Sequence, residues 1–158
     1  MGPKAPVVHE EAVKEAWLDY NGHLNEAYYL LVFSHATDAL LERIGMAPAE
    51  RERHAISVFT LETHLLYLLE VGRGARLVVE VRILEHDTKR LRVFLTMRAA
   101  GAEAIVATAE MVILHVDMRT RRGAPFREEV ARAVAVLHEA EAERPWPAQA
   151  GRAIGLRR

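Results

Sequence analysis

The segment Asp19-Tyr20-Asn21-Gly22-His23-Leu24-Asn25 places a carboxyl group, a glycine turn and an imidazole next to one another. A long apolar stretch without glycine or proline follows, so the turn is expected to stand at a helix N-terminus. Backbone N–H groups without an intrahelical partner, aided by the positive end of the helix dipole, hold a carbonyl oxygen as it gains negative charge. A carboxylate beside them attacks the carbonyl or activates water. The same residues also suit an Asx turn at Asp19 and Asn21 and a helix cap at Asn25. Spacing alone leaves both readings open.

A second polar group lies further on, where Thr60, Glu62 and His64 recur at a spacing of two among apolar neighbours. An extended backbone would set all three on one face. A buried Glu-His pair there would orient water or receive a proton, and a mutually satisfied pair or a solvated stretch is the alternative. His23, His64 and His115 are not at ligand spacing from one another and no His-Glu-x-x-His pattern occurs, so no metal is expected. His115 and Asp117 read as a surface transition at a strand end. The chain has no cysteine, which removes thiolate nucleophiles, thiolate metal sites and disulfides together.

The elements that must position these groups follow from periodicity. Residues 7–18 read as a first strand. From 25 to 44 the apolar residues Ala27, Leu30, Leu31, Phe33, Ala36, Leu40, Leu41 and Ile44 cover more than one face, which predicts a helix buried on most sides, capped by Asn25 and closed by Gly45 and Pro48. The period then changes to alternation. A long strand carries Phe59, Leu61, Leu65, Tyr67, Leu69 and Val71. After Gly72-Arg73-Gly74 come Leu77, Val79, Val81 and Ile83, then Leu91, Val93, Leu95 and Met97, with short connections predicting an antiparallel meander. Residues 104–116 are apolar on both faces and are expected to be central or covered by a second copy. A last helix over 127–143 follows from Val130, Val134, Leu137 and Ala140. The fold class is therefore α+β, one domain over 1–144, with 145–158 as a loosely held tail.

Composition narrows the function. Lysine and arginine number 21 against 22 aspartates and glutamates, which gives no footprint for nucleic acid. No apolar run is long enough to cross a bilayer, so we expect no membrane association and a cytoplasmic location. The apolar surplus predicts a homodimer, or a dimer of dimers.

Trp-Leu-Asp-Tyr-Asn-Gly-His-Leu-Asn at 17–25, followed by a long helix and four strands, resembles the 4-hydroxybenzoyl-CoA thioesterase type of hotdog proteins over the span up to Phe126. The resemblance implies an antiparallel sheet wrapped around a central helix, and hydrolysis of an acyl-CoA with no cofactor beyond the coenzyme A of the substrate. It puts the nucleophile or general base on Asp19 and the oxyanion site at the amides of Asn25 and Glu26. His23, Glu62 and His64 would support them. Glu26 is a rival carboxylate, because many relatives have Asn-Asn here and other hotdog branches use a helical glutamate. A noncatalytic hotdog module that binds acyl-CoA is the alternative from another class.

A narrower likeness covers Asn-Gly-His-Leu-Asn-Glu-Ala at 21–27, Ala-Thr-Asp at 36–38, Glu-Thr-His with tyrosine at 62–67, and Leu-His-Val-Asp at 114–117. Together these are similar to betainyl-CoA thioesterases. That likeness implies a trimethylammonium on the acyl group, with Trp17, Tyr20, Tyr28, Tyr29 and Tyr67, beside Thr60, as residues for the substrate and an aromatic cage. For the CoA phosphates, Arg119, Arg121 and Arg122 are the candidate ligands, although a solvated basic loop has the same composition.

Overall fold

The computed structural model describes residues 6–156. Strand β1 (Val7–Ala12) leads through a 3-10 turn (Glu15–Trp17) to helix α1 (Glu26–Arg43). Helix α2 (Pro48–His54) and strands β2 (Ile56–Tyr67), β3 (Arg76–His86), β4 (Arg90–Ala99) and β5 (Ile105–Asp117) follow. The short β6 (Arg122–Gly123) and helix α3 (Glu128–Ala140) come last. The antiparallel sheet has the order β1-β3-β4-β5-β2, with β6 paired to β5.

Alternation along the strands aims one set of side chains at α1: Val79 and Val81 from β3, Val93 and Leu95 from β4, Met111 and Ile113 from β5. They meet Val32, Phe33, Ala36 and Leu40 of the helix, all buried. Each of these side chains except that of Ala36 contributes ~1.5–3 kcal/mol by leaving water. This sheet curled about one long helix is the hotdog fold. The α3 stripe of Val130, Val134 and Leu137 joins the same core and packs along β3. Among the described residues no helix is long and apolar enough to cross a membrane.

Several expectations change. The first strand ends at Ala12 rather than continuing to residue 18, because the Val13 N–H turns to the Ala75 carbonyl and the 3-10 turn intervenes. Only β3, β4 and β5 form a meander. β2 lies beyond β5, because β1 takes the β3 edge that a β2–β3 hairpin would need, so the Gly72–Gly74 connection crosses the fold. Residues 105–117 form a strand between β4 and β2, the central position expected for them. Within one chain α1 buries a single face, leaving Leu30 and Leu31 41% and 37% exposed. Helix α2 was not expected; Pro48 begins it, where a missing N–H costs nothing.

The stretch from Pro145 to Gly151 is held rather than loose, whereas Ile154 and Leu156 beyond it are exposed. The Arg82 guanidinium donates to the Pro145 carbonyl (3.0 Å), the Arg92 guanidinium lies 5.4 Å from the Trp146 ring centre, and the Gly151 N–H donates to Glu110 (2.7 Å). Three charged side chains on the outward sheet face thus anchor a segment whose own apolar content is low. Residues 157 and 158 of the predicted tail lie outside the described residues.

Candidate active site

The turn before α1 is built around Asp19. Its Oδ1 accepts hydrogen bonds from the N–H groups of Asn21 (2.8 Å) and His23 (3.2 Å), while its backbone N–H donates to the His23 carbonyl (2.8 Å). Gly22 takes φ +76° to close this loop, a conformation that suits glycine. The turn is pinned to the chain after β2, because the Leu24 N–H donates to the Val71 carbonyl (2.8 Å) and His23 bridges to Gly72. Asp19 therefore forms the Asx turn with one oxygen. Its Oδ2 has no hydrogen-bond partner among the described residues, and Asp19 is part of the cleft lining.

Helix α1 starts beside this carboxylate. The Asn25 side chain accepts from the Ala27 N–H (3.0 Å), and the Asn25 N–H is taken by the Trp17 carbonyl (2.9 Å). The expected oxyanion pair is thus corrected to one donor. Asn25 has spent its amide, whereas the Glu26 N–H has no partner among the described residues and points along the positive end of the helix dipole.

An open cleft of about 470 Å³ lies over these groups, lined by Asp19, His23, Glu26, Tyr29, Tyr67 and Glu70 among others. His23 Nδ1 is 3.3 Å from the Glu70 carboxylate. Tyr67 donates its hydroxyl to the Glu26 carbonyl (3.3 Å) and meets the Tyr29 ring edge-to-face at 5.2 Å. Burial raises the hydroxyl pKa of both tyrosines, and for Tyr67 the Glu26 charge raises it further. Both remain neutral donors in the working range of an enzyme. A carbonyl carbon placed here has a fixed carboxylate oxygen on one side and an unspent helix amide for its oxygen, which is the equipment for acyl transfer to water.

The thioesterase-like superfamily matches residues 13–134. The chain belongs to this family. A betainyl-CoA thioesterase of Pseudomonas aeruginosa is 45% identical over 94% of the chain and 93% of its own length. A two-part L-carnitine dehydrogenase/betainyl-CoA thioesterase of Agrobacterium fabrum is 43% identical over 93% of the chain, which spans 30% of that longer protein. A Staphylococcus aureus protein solved in complex with CoA superposes with a TM-score of 0.91 at 29% identity, covering 97% of this chain and 96% of that one. These relatives favour a catalytic thioesterase over a module that only binds.

Within one chain of the thioesterase, the remaining predicted residues separate. A bulge between Thr60 and Glu62 reverses the alternation of β2: Thr60 pairs with the inward-facing Ile113, but Glu62 and His64 pair with Val112 and Glu110 on the outer face. The three do not share a side, and Glu62 is exposed rather than buried. Glu62 and His64 border a different cavity, of about 400 Å³, with Arg92, Glu110 and Arg152. The five-residue aromatic cage is also corrected. Trp17 is buried, stacked on Tyr28 at 5.4 Å and met by the Lys14 ammonium at 4.5 Å, while Tyr20 stands 98% exposed. Only Tyr29 and Tyr67 line the cleft.

Arg119 pairs with Asp117 (3.5 Å), Arg121 lies 5.9 Å from the Phe59 ring, and Arg122 is on β6, so none borders the cleft of its own chain. His115 is 2% exposed and hydrogen-bonded through Nδ1 to the Ala124 carbonyl (2.7 Å), so it is a core residue rather than a surface one. Sequence reasoning missed Glu70. Its only signal was its place just before the Gly-Arg-Gly connection, where nothing tied it to the distant turn.

Proposed function

We propose that this thioesterase hydrolyses small acyl-CoA thioesters whose acyl group carries a positive charge, with betainyl-CoA as its substrate. The observation that carries the proposal is the charge of the cleft: Asp19, Glu26 and Glu70 contribute three carboxyl groups against the single imidazole of His23, beside the two tyrosine rings. Such a lining attracts a cationic acyl group and repels the phosphates of CoA, which leaves them outside. The betainyl-CoA thioesterases among the relatives point the same way.

In this reading the thioester oxygen lies at the Glu26 N–H and Asp19 Oδ2 either attacks the carbonyl carbon or takes the proton of an attacking water. The C–S bond then breaks and the CoA thiolate leaves, to be protonated by the proton that water gives up. Where Asp19 has attacked, that water hydrolyses the resulting acyl-aspartyl anhydride, releasing the acid and restoring the carboxylate. Asp19 is preferred to Glu26 because two backbone amides fix its direction, whereas Glu26 is exposed. Water is the sole co-reactant and CoA belongs to the substrate.

The enzyme works in the cytoplasm as a homodimer or a dimer of dimers. Strand β2 has a neighbour on one side only, and Leu61, Leu68 and Leu69 near that edge are 56%, 41% and 50% exposed. A second copy docked on this edge would cover them, and it offers a route for Glu62, His64 or the Arg119–Arg122 run to reach a neighbouring cleft. Sedimentation of the native protein as a monomer at micromolar concentration would contradict this.

The substrate claim is tested by comparing kcat/KM for betainyl-CoA and 3,3-dimethylbutanoyl-CoA, which replaces the quaternary nitrogen by carbon at the same shape. A desolvated cation–π contact of ~2 kcal/mol corresponds to about thirtyfold. Equal values for the two substrates would defeat the proposal.

A further inference from the structure

Strand β1 carries an unexpected pair. His9 and Glu11 are opposite Val79 and Leu77 of β3, both core residues, so both polar side chains project to the inner face of the sheet toward α1. There they meet His35 from the middle of that helix. The Glu11 Oε2 is 2.7 Å from His35 Nδ1 and 3.2 Å from His9 Nε2, and the two imidazoles face each other edge-on with centres 6.0 Å apart.

We propose that His9, Glu11 and His35 form a binding site for a transition-metal dication of the zinc type, which clips the edge strand β1 to the central helix. One donor atom from each residue lies within 4.8 Å of the others. Metal–ligand bonds of ~2.0–2.2 Å in a tetrahedron set donors about 3.4 Å apart, so rotation of the side chains by about an ångström closes the site. Two imidazoles and one carboxylate select zinc, cobalt(II) or nickel(II) over magnesium and calcium, which require oxygen ligands. The fourth position is left to water.

The surroundings fit this use. The three side chains are 23%, 14% and 36% exposed, sheltered from bulk solvent yet open to an entering ion. Lys14 Nζ is 3.6 Å from the other oxygen of Glu11 and holds the carboxylate in orientation without competing for the ligand oxygen. None of the three lines the Asp19 cleft. The ion therefore takes no part in thioester hydrolysis, and its effect is to fasten a six-residue strand that has a neighbour on one side only. The spacing of His23, His64 and His115 pointed away from a metal; this site uses other histidines, two of its residues from an alternating strand and the third from a helix.

The test titrates chelator-treated, full-length protein with zinc chloride in a calorimeter, and separately follows the melting temperature with equimolar zinc or magnesium chloride. One zinc per chain, a rise in melting temperature with zinc alone, and at least tenfold weaker binding by His35→Ala are expected. No zinc-dependent heat, an equal rise with magnesium, or undiminished binding by His35→Ala would overturn the proposal. Inward-pointing charge on an edge strand also discourages strand-to-strand aggregation, and a purely protective role of that kind would give the first of these results. Should His35→Ala not fold, cobalt(II) added to the unmodified chain decides the matter: visible absorption bands of a tetrahedral site support it, and the spectrum of the aqueous ion alone refutes it.

Discussion

Replacing Asp19 by asparagine separates the two uses of that side chain. Asparagine keeps an oxygen where Oδ1 accepts from Asn21 N–H (2.8 Å) and His23 N–H (3.2 Å), so the turn keeps both bonds with a neutral acceptor. Hydrogen bonds to a charged group contribute ~1.5–3 kcal/mol against ~0.5–1.5 for neutral pairs, and partial exposure puts the loss near 1 kcal/mol. For a domain of this length that lowers Tm by about 2–4 °C. The other oxygen becomes an amide nitrogen, which is neither nucleophile nor base. Loss of a general base costs ~10²–10⁴ in rate, about 2.7–5.4 kcal/mol in barrier. Asp19→Asn should thus melt within a few degrees of the unmodified protein yet release thiol at least about a hundredfold more slowly. Asp19→Ala should lose both the rate and more of the stability. Thiol release at saturating acyl-CoA, read beside a circular-dichroism melt, measures the two effects independently. An Asp19→Asn protein within about threefold of the normal kcat would reduce Asp19 to a turn former and shift the chemistry to Glu26.

Asn25→Ala removes the cap on the Ala27 N–H and is expected to cost ~1 kcal/mol in chemical denaturation, with a larger fall in kcat than rise in KM because the Glu26 amide loses its fixed direction. Phe33→Ala opens a cavity at a fully buried position between α1 and the sheet, and should destabilise by ~3–5 kcal/mol; a loss below about 1 kcal/mol would mean the helix does not pack there as described. Acid stability should depend on Asp87, whose carboxyl is held down to about 2 by the Lys89 N–H first and then by the Arg90 side chain. A depressed carboxyl stabilises the fold fully above its unfolded value of about 3.9 and loses that contribution as pH falls through the folded one. Denaturation midpoints of Asp87→Ala and the unmodified chain should therefore differ at pH 6 and converge toward pH 2, and a constant gap across that range would contradict the assignment.

The central helix and the strands β3 to β5 were legible in the sequence because one period dominates each for many residues and one face of each is uniformly apolar. The Asp19 turn was legible for the same local reason: every bond that shapes it joins residues within 17–27 or the chain just after β2. What alternation could not show was the interruption of alternation. The β2 bulge moved Glu62 and His64 away from Thr60, and a period-two reading has no way to register one extra residue. The pairing partner of β2 was hidden too, because short connections argue for hairpins while the competition between β1 and β2 for the β3 edge is decided only in three dimensions. Aromatic residues were over-assigned for a related reason. Trp17 and Tyr28 satisfy each other within the core, and sequence spacing does not distinguish a ring that lines a cleft from one that stacks on its neighbour.

The bulge at Thr60/Glu62 gives β2 a joint. Upstream of it Phe59 stands opposite Leu114 on the outward face; downstream the outward positions belong to Glu62 and His64, opposite Val112 and Glu110. Removing Leu61 would restore strict alternation with every side chain kept on its present surface, because Thr60 and Glu62 already oppose the adjacent residues Ile113 and Val112. Removing any other residue of the strand would turn over the side chains between the deletion and the bulge. Length is therefore constrained along the rest of β2 but not at Leu61 itself. Among relatives, a one-residue deletion within β2 should fall at the Leu61 position, and one elsewhere in the strand should come with loss of the bulge.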